Sequence, residues 1–401
     1  MFGWEYPPRH SGGLGVACQG LVNGLLKSGV HVTLVLPHDD ARSDGNLTVR
    51  YPTEDICSTV RVASILQPYD SEEEYFARLL MRSIPRERGH LYGPDLGSAV
   101  EGFAAMAVEM TKDVQTDVVH CHDWMTYEAG MRAARHHRKP FVAHIHATEF
   151  DRTDFHPNEW IAARERKGLL AADRVIAVSN YTKNMLTGHY GIPGDKITIV
   201  HNGHDVATDR LPDSITDGRR AHIPLVLFLG RLTLQKNPRQ FLEVARIVKN
   251  HRPDVQFAMA GDGPMLVELI DRSVELGLSE NVVFTGKVTN SEARALYSAA
   301  DCFVMPSLSE PFGLVALEAI AHGTPVIISK QSGVAEVVDH AFKVDFWDTE
   351  KMADCLLTIL REDALALQLK TEAPKILQKL TWAHQASHVK SLYTNLLSQP
   401  R

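Results

Sequence analysis

Cysteine is scarce in this sequence, and the spacing of the cysteines excludes two classes of site. The 401 residues include five cysteines, an odd number, and no two of them stand in a Cys-x-x-Cys pattern. Small secreted domains held by disulfides have many more cysteines for their length, and zinc ribbons and redox motifs need the paired spacing. We therefore expect reduced thiols, most of them buried.

Long apolar runs and an excess of basic residues are also missing. No apolar run reaches the roughly 18 residues that a membrane-spanning helix needs, so we expect no transmembrane segment. No secretory h-region is present, which makes a cytoplasmic location our expectation. The formal net charge of -7 and the pI near 6.3 argue against a general nucleic-acid surface.

Apolar runs of strand length alternate with helical patterns along both halves of the chain. Glycine, proline and polar residues bound these runs, and amphipathic stretches follow most of them. An alternating β–α order predicts an α/β fold in which parallel, doubly wound sheets are covered by helices. The hydrophobic content of 44% is ample for packed cores.

A polar stretch from Asp205 to Ile223 is the best candidate for a domain boundary. We expect an amino-terminal domain at 1–205 and a carboxyl-terminal domain at 206–380. A polar segment near 38–96 predicts a solvated surface insertion in the first domain, with contact to an acceptor as the alternative. Residues 381–401 have apolar side chains at helical spacing, which predicts a terminal helix.

A glycine-rich loop, WEYPPRHSGGLG, precedes the first predicted helix and leaves little room for a strand before it. Glycines before a helix allow backbone amides to approach a phosphate, which makes Gly12 and Gly13 candidate ligands. An ordinary tight turn is the alternative, because the loop does not have the GxGxxG pattern of dinucleotide-binding proteins.

Two His-x-His pairs lie in neighbouring predicted strands, His120 with His122 and His144 with His146. Residues two apart on a strand share a face, so each pair could bind a metal ion, as in metal-dependent hydrolases. Such a hydrolase also needs carboxylate ligands at strand ends, and none stands out. We therefore favour hydrogen-bonded histidines that face a cleft and bind no metal.

The stretch SLSEPFGLVALEAIAHGTPVI, residues 307–327, holds two glutamates on either side of a predicted helix start. Amide groups near Phe312, Gly313 and Leu314 have no partner within the helix and can bind an anion. Glu310 and Glu318 can accept hydrogen bonds from hydroxyl groups on either side of that anion. A nucleotide sugar has this order of groups: sugar, diphosphate and ribose.

Other strand-end loops of the carboxyl-terminal half also carry polar or charged residues. Arg231 and Lys236 follow one strand, Asp262 follows the next, and Lys287 with Val288 follows a third. A lysine in a single loop is usually surface charge. Ligands of open parallel sheets bind at the carboxyl ends of the strands, and all of these loops end at that edge.

The motifs GRLTLQKN, AGDGP, FTGKV and SEPFGLVALEAIAHGTPVI resemble those of retaining glycosyltransferases with the GT-B fold. That fold has two facing Rossmann-like domains with a central cleft. The resemblance is to the glycogen/starch synthase-like and sucrose-synthase-like group, glycosyltransferase family four. SGGLG, HDW, HATEFDR and VHNGHD in the amino-terminal half agree with it, and it extends over nearly the whole chain. The resemblance also implies that the helix in 381–401 crosses back onto the amino-terminal domain, with packing on its own domain alone as the alternative.

The resemblance implies a role for each candidate residue. Arg231 and Lys236 bind the diphosphate and stabilise the leaving group, Glu318 binds the ribose, and Glu310 binds the donor sugar. The base lies near Lys287 and Val288, His146 (with His144 as its rival) faces the sugar, and Asp123 helps to place the acceptor. The implied catalytic residues are His146, Arg231, Lys236 and Glu310, and the implied substrate-binding residues are Gly12, Gly13, Asp123, Asp262, Lys287, Val288, Phe312, Gly313, Leu314 and Glu318.

The implied activity is retaining transfer of a hexose, with glucose favoured, from an ADP- or UDP-sugar to a carbohydrate or other hydroxyl acceptor, including α-glucan synthesis. The sequence has no Asp-x-Asp, which agrees with catalysis without a metal ion or other cofactor. A nucleotide-sugar epimerase or hydrolase, and a non-catalytic nucleotide-sugar-binding protein, are the alternatives. A phosphorylase is disfavoured because no pyridoxal-phosphate lysine motif is found. We also expect donor binding to bring the two domains together.

Overall fold

The computed structural model describes residues 1–8, 12–37, 43–52, 94–205 and 223–399. Most of the predicted insertion near 38–96 lies outside these residues. The chain divides into two compact units. The first comprises Met1–Gly203 together with Leu380–Arg401, and the second comprises His204–Lys379.

Strands and helices alternate in the first unit. Its strands are β1 (Val32–Val35), β2 (Leu47–Arg50), β3 (Val119–His122), β4 (Phe141–Ile145), β5 (Arg174–Ala177) and β6 (Ile197–Ile199). Its helices are α1 (Gly13–Lys27), α2 (Pro94–Thr111), α3 (Trp124–His137), α4 (Glu149–Arg152), α5 (Glu159–Ala171), α6 (Asn180–Gly188) and, from the end of the chain, α13 (Trp382–Ser398).

The strands of the first unit are parallel. Strands β3 to β6 form a sheet in chain order, and β1 pairs with β2. The backbone at the start of the chain lies between these two groups, because Phe2 N–H donates to the carbonyl of His120 and Gly3 N–H donates to that of Val35. Although few residues precede the glycine loop, Phe2 thus forms parallel bridges to both β1 and β3.

Helix α13 packs on α1 through glycines. A β-carbon at Gly20 would lie 2.1 Å from the indole of Trp382, and one at Gly24 would lie 2.6 Å from the Trp382 carbonyl oxygen. The apolar face of α13 lies in the same core cluster as Leu21 and Leu25 of α1. The terminal helix predicted from residues 381–401 is therefore part of the first unit's core.

The second unit has the same alternation. Its strands are β7 (Leu225–Leu229), β8 (Gln256–Ala260), β9 (Val282–Gly286), β10 (Cys302–Met305), β11 (Val326–Ser329) and β12 (Phe342–Val344). Its α-helices are α7 (Pro238–His251), α8 (Leu266–Glu275), α9 (Asn290–Ala299), α10 (Leu314–Ala321), α11 (Thr349–Arg361) and α12 (Asp363–Glu372), and 3-10 turns lie at Leu234–Lys236, Gly333–Glu336 and Ala373–Gln378.

These six strands form one parallel sheet in the order β12-β11-β10-β7-β8-β9. The strand order reverses between β7 and β10, which is the kind of switch point where open α/β sheets bind ligands. Local signals place the helices: Pro238 begins α7, and Thr289 and Glu292 form a capping box before α9.

Buried thiols agree with the expectation from cysteine content. The four cysteines in the described part of the chain are free and buried, and burial raises the pKa of Cys18 and Cys121 to about 12. Among the described residues, no helix is both long enough and apolar enough to cross a lipid bilayer.

Candidate active site

Lys236 and Glu310 are in contact, although 74 positions separate them along the chain. Lys236 ends the turn after β7, and Glu310 lies between β10 and α10. The Lys236 ammonium donates to Glu310 Oε2 at 2.5 Å, and the hydroxyl of Ser307 donates to the same oxygen at 3.3 Å. Because β7 pairs directly with β10, their carboxyl-end loops bring these two predicted residues together.

Hydrogen bonds to backbone carbonyls connect the loop after β7 with the loop after β10. Leu308 N–H donates to the carbonyl of Gln235 at 2.9 Å, and the Gln235 side-chain amide donates to the carbonyl of Ser309 at 3.1 Å. Asn237, which has a φ of 54°, donates from its side chain to the carbonyl of Pro306 at 3.2 Å. These contacts fix the backbone that carries Lys236.

The start of α10 is held from its other side by the loop after β11. Gly333 N–H donates to the carbonyl of Glu310 at 2.9 Å, and Val334 N–H donates to that of the buried Phe312 at 2.7 Å. Gly313 precedes the helix with a φ of 109°, a conformation that favours glycine. The helix then begins at Leu314, where the first amides have no intrahelical acceptor.

Glu318 lies one turn into α10 and is half-buried. Its Oε2 accepts a hydrogen bond from the hydroxyl of Tyr297 at 2.9 Å. Burial raises the pKa of the Glu318 carboxyl, and the hydrogen bond from Tyr297 opposes this rise. Tyr297 is fully buried and was not found from the sequence, where it is one apolar position of a helix.

The loops after β7 and β8 cross at very short range. A β-carbon at Gly261 would lie 1.8 Å from the carbonyl oxygen of Gly230, the residue before Arg231. Leu232 N–H donates to the carbonyl of Asp262, whose exposed carboxylate accepts from the amide of Gly263 at 2.8 Å. Arg231 itself is half-buried.

Lys287 and Val288 follow β9, and β8 separates that strand from β7. The side chain of Lys287 is exposed and that of Val288 is half-buried. These two residues therefore lie farther along the sheet edge from Lys236 than Asp262 does.

Gly12 and Gly13 of the first unit lie at the start of α1. Gly12 has an extended backbone, and a β-carbon there would meet no atom of the described residues within 4 Å. The described residues therefore leave room for a ligand beside this helix start.

Asp123 holds the backbone that carries His146. Its own N–H donates to the carbonyl of His144 at 2.9 Å, and its carboxylate accepts from the amide of His146 at 2.7 Å. Asp123 is completely buried and has a φ of 60°, an uncommon conformation for a residue other than glycine. His146 is half-buried, and burial lowers its pKa.

A buried ion cluster follows His146 in the HATEFDR segment. Arg152 donates to Glu149 at 3.0 Å and to Glu165 of α5 at 2.6 Å, and both carboxylates are completely buried. Thr148 and Asp151 form a capping box that begins α4. The T-x-x-D spacing in the sequence is the signal that could have predicted this turn.

Comparison with known proteins identifies the family. Residues 11–208 match the model "Glycosyltransferase Family 4", and residues 218–376 match "Glycosyl transferases group 1". An uncharacterised glycosyltransferase of Methanocaldococcus jannaschii is 29% identical over 98% of this chain and 97% of its own length. A glycogen synthase of Mycobacterium tuberculosis is 30% identical over 84% of this chain and 79% of its own length.

Three solved structures have a similar fold. Sucrose-phosphate synthase from Thermosynechococcus elongatus superposes with a TM-score of 0.75 at 22% identity, covering 97% of this chain and 94% of that one. The catalytic domain of Arabidopsis thaliana starch synthase IV, bound to ADP and acarbose, gives 0.70 at 17% identity, with 99% coverage of both chains. Anabaena HepE, in complex with UDP and glucose, gives 0.67 at 18% identity, covering 98% and 99%. The predicted GT-B fold is thus confirmed, and the chain belongs to the glycosyltransferases of group 1 and Family 4.

Proposed function

We propose that this glycosyltransferase transfers a hexose, with glucose favoured, from an ADP- or UDP-sugar to a carbohydrate hydroxyl with retention of configuration, including α-glucan synthesis. The observation that supports this most is the contact between Lys236 and Glu310. This contact places a fixed cation beside a carboxylate at the carboxyl ends of two neighbouring strands. A diphosphate needs a cation as its partner, and sugar hydroxyls need a hydrogen-bond acceptor such as the carboxylate.

The donor is proposed to bind the second unit through groups matched to each of its parts. Arg231 and Lys236 neutralise the diphosphate, together with the amides of Gly313 and Leu314 at the start of α10. Glu318 accepts from the ribose hydroxyls. The ligands of two similar structures, UDP with glucose and ADP with acarbose, support a uridine or adenosine donor.

Glu310 is proposed to bind the donor sugar rather than attack it. Its Oε2 already accepts from Lys236 and Ser307, and the residue is only 6% exposed. Such a carboxylate can accept a hydrogen bond from a sugar hydroxyl, while the ammonium group of Lys236 neutralises its negative charge.

The proposed reaction is attack by the acceptor on the face of the sugar that the diphosphate leaves. The bond between the acceptor oxygen and the anomeric carbon forms as the bond from that carbon to the β-phosphate oxygen breaks. The acceptor proton moves to the departing phosphate oxygen. Arg231 and Lys236 stabilise the negative charge that develops there, so no metal ion is needed at the diphosphate.

His146 of the first unit is proposed to contact the donor sugar, with Asp123 as the residue that fixes its position. The hydrogen bond from the His146 amide to the Asp123 carboxylate supports this division of roles. Asp123 is completely buried, so its proposed part in placing the acceptor is indirect, through the loop of His146.

A donor screen followed by product analysis tests the proposal. Thermal shift with ADP-, UDP- and GDP-sugars identifies the donor, and the products are then analysed with and without an acceptor, withholding Mg²⁺ and Mn²⁺. We expect one nucleotide to raise Tm and a retained glycoside to form without either ion. Lys236→Ala is expected to lower kcat by about 100- to 1,000-fold.

Lys375→Ala is the matched control, because Lys375 forms an exposed ion pair with Glu372 outside the strand-end loops. Unchanged donor affinity in Glu318→Ala would contradict the assignment of the ribose site. Free sugar or an epimerised donor as the product would instead identify a hydrolase or an epimerase. A covalent sugar adduct on Glu310 or Asp123 would overturn the same-face mechanism.

A further inference from the structure

Four histidines form a block of stacked rings in the first unit. His120 and His122 lie on β3, His144 lies on β4 directly opposite His122, and His146 follows β4. The ring centroids are 4.7 Å apart for His120 and His122 and 4.3 Å apart for His144 and His146. The parallel register of the two strands thus joins two His-x-His pairs that lie 24 residues apart in sequence.

Several imidazole nitrogens in this block are buried without a hydrogen bond. His122 Nε2 and His144 Nε2 have no hydrogen-bond partner among the described residues, although these two side chains belong to residues that are only 0% and 3% exposed. His146 Nδ1 is likewise buried without a hydrogen-bond partner among the described residues. A buried polar atom left unpaired is unfavourable, and an ion or a water molecule at such a site can supply the missing partner.

We propose that His120, His122 and His144 bind a transition-metal ion of the zinc class. One nitrogen from each residue lies within 4.8 Å of the other two, and within the described part of the chain no other group of three or more histidine, cysteine or acidic side chains has this geometry. Three buried imidazoles with no carboxylate favour Zn²⁺, Co²⁺, Ni²⁺ or Cu²⁺ over Mg²⁺ and Ca²⁺, which prefer oxygen ligands.

Two of the three proposed ligands have, on the other ring nitrogen, the partner that a metal-binding histidine needs. His120 Nδ1 lies 2.5 Å from the hydroxyl of Tyr393 on α13, and His122 Nδ1 lies 3.0 Å from His146 Nε2. Metal-ligating histidines usually donate their other N–H to such a partner. The contact between His120 Nε2 and His144 Nδ1, 3.3 Å, is long for a hydrogen bond.

Burial also keeps the ligands in the form that binds metal. The pKa values of His120, His122 and His144 lie well below the usual range because these rings are buried, and neighbouring histidines lower them further. The imidazoles are therefore neutral at pH 7, which is the state that coordinates an ion.

Occupation of this site fixes the proton of His146. A metal ion on His122 Nε2 leaves the proton of that ring on Nδ1, which then donates to His146 Nε2. The His146 proton must then lie on Nδ1. The site itself does not depend on the proposed transfer reaction, because its ligands and its test involve no sugar donor.

Metal titration of the full chain tests the proposal. An exposed histidine pair on α13, His384 and His388, has ring centroids 4.6 Å apart and could bind metal on its own. His384→Ala/His388→Ala is therefore the background for all measurements. After removal of metal with a chelator, we expect this protein to bind one Co²⁺ with the visible absorption of a four-coordinate ion, and Zn²⁺ to displace it.

His122→Gln and His144→Gln, each in this background, are expected to weaken Co²⁺ binding by about 100-fold or more, beyond the loss known for second-shell changes. X-ray absorption on the zinc-loaded background protein is expected to show three imidazole ligands. If a Gln variant does not fold, stoichiometry and X-ray absorption of the background protein decide the matter. No bound Co²⁺, fewer than three imidazoles, or unchanged affinity in folded Gln variants would overturn the proposal in favour of a metal-free, hydrated block.

Discussion

At the scale of single residues, one buried arginine faces two buried glutamates in the first unit. Arg152 is paired with both Glu149 and Glu165, and the hydroxyl of Tyr190 also donates to Glu165. Burial disfavours the charged form of a carboxyl group. Burial raises the pKa of Glu165 to about 7, with Arg152 opposing the rise, so this carboxyl keeps its proton in mildly acidic solution.

Glu165→Gln is expected to remove a pH dependence of stability. Between the ordinary glutamate value of 4.5 and about 7, the unfolded chain loses the Glu165 proton while the folded chain keeps it. The free energy of unfolding of the wild type therefore falls as pH rises through this window, by up to about 1.4 kcal/mol per pH unit, and then levels off. Urea unfolding of both proteins at several pH values measures the difference.

Glu128→Gln is the control for this measurement. In Glu128, burial is outweighed by hydrogen bonds from Lys167 and Arg132, and the pKa is lowered. Glu128→Gln is expected to leave unchanged the fall in the free energy of unfolding between pH 4.5 and about 7. A wild type and a Glu165→Gln variant with parallel stability curves would show that Glu165 is ionised throughout.

At the scale of elements, the packing of α13 on α1 depends on the absence of side chains. Gly24→Ala is expected to destabilise the protein by about 1–3 kcal/mol, because its β-carbon would meet the backbone of Trp382 rather than a flexible side chain. Gly188→Ala, in a helix position with no atom within 4 Å, is expected to be neutral or stabilising by up to about 1 kcal/mol. Urea unfolding compares the two, and equal effects would contradict the packing.

The crossing of the loops after β7 and β8 gives a second prediction at this scale. Gly261→Ala is expected to destabilise the second unit and to weaken nucleotide binding, because its β-carbon would displace the carbonyl of Gly230 beside Arg231. Gly277→Ala is the control, since it also has a positive φ but no neighbour within 4 Å, and it should cost about 1–2 kcal/mol. Thermal shift with UDP and ADP measures both effects. A Gly261→Ala variant with the affinity and stability of Gly277→Ala would contradict the close crossing.

Site residues that belong to a local sequence pattern are predictable, whereas contacts that depend on the order of strands in the sheet are not. Lys236 and Glu310 were predictable because each follows an apolar run that ends in a loop. Their contact was not, because it requires β10 to lie beside β7, whereas β8 follows β7 along the chain. Tyr297 was not predicted either, because its hydroxyl donates to Glu318 from another helix, and the packing of two helices is not a local sequence pattern.

The histidine pairs show that the sequence predicts the arrangement within one strand but not the register between two strands. Alternation along a strand predicts that His120 and His122 share a face. Only the register of β3 against β4 puts His144 beside them and leaves nitrogens without partners. The expectation of metal-free histidines depends on the lack of carboxylate ligands, whereas the proposed site uses three imidazoles.

At the scale of the whole molecule, the first unit is built from both ends of the chain, while the second is continuous. A chain ending at Lys379 lacks α13 and exposes the apolar side of α1. We expect amide hydrogen exchange to become faster throughout the first unit and to stay unchanged in β7 to β12. A chain ending at Ser398, which keeps all of α13, is the control. Equal loss of protection in both units would contradict two separate cores.

The return of α13 to α1 also sets an order for folding during synthesis. Domains fold as units while the chain emerges from the ribosome. The second unit, His204–Lys379, is synthesised before Trp382, whereas Leu21 and Leu25 of α1 precede that unit and contact the core of α13 only after Trp382 has been made. Helix α13 therefore completes a core that α1 begins, and α1 exposes an apolar surface until α13 has been synthesised.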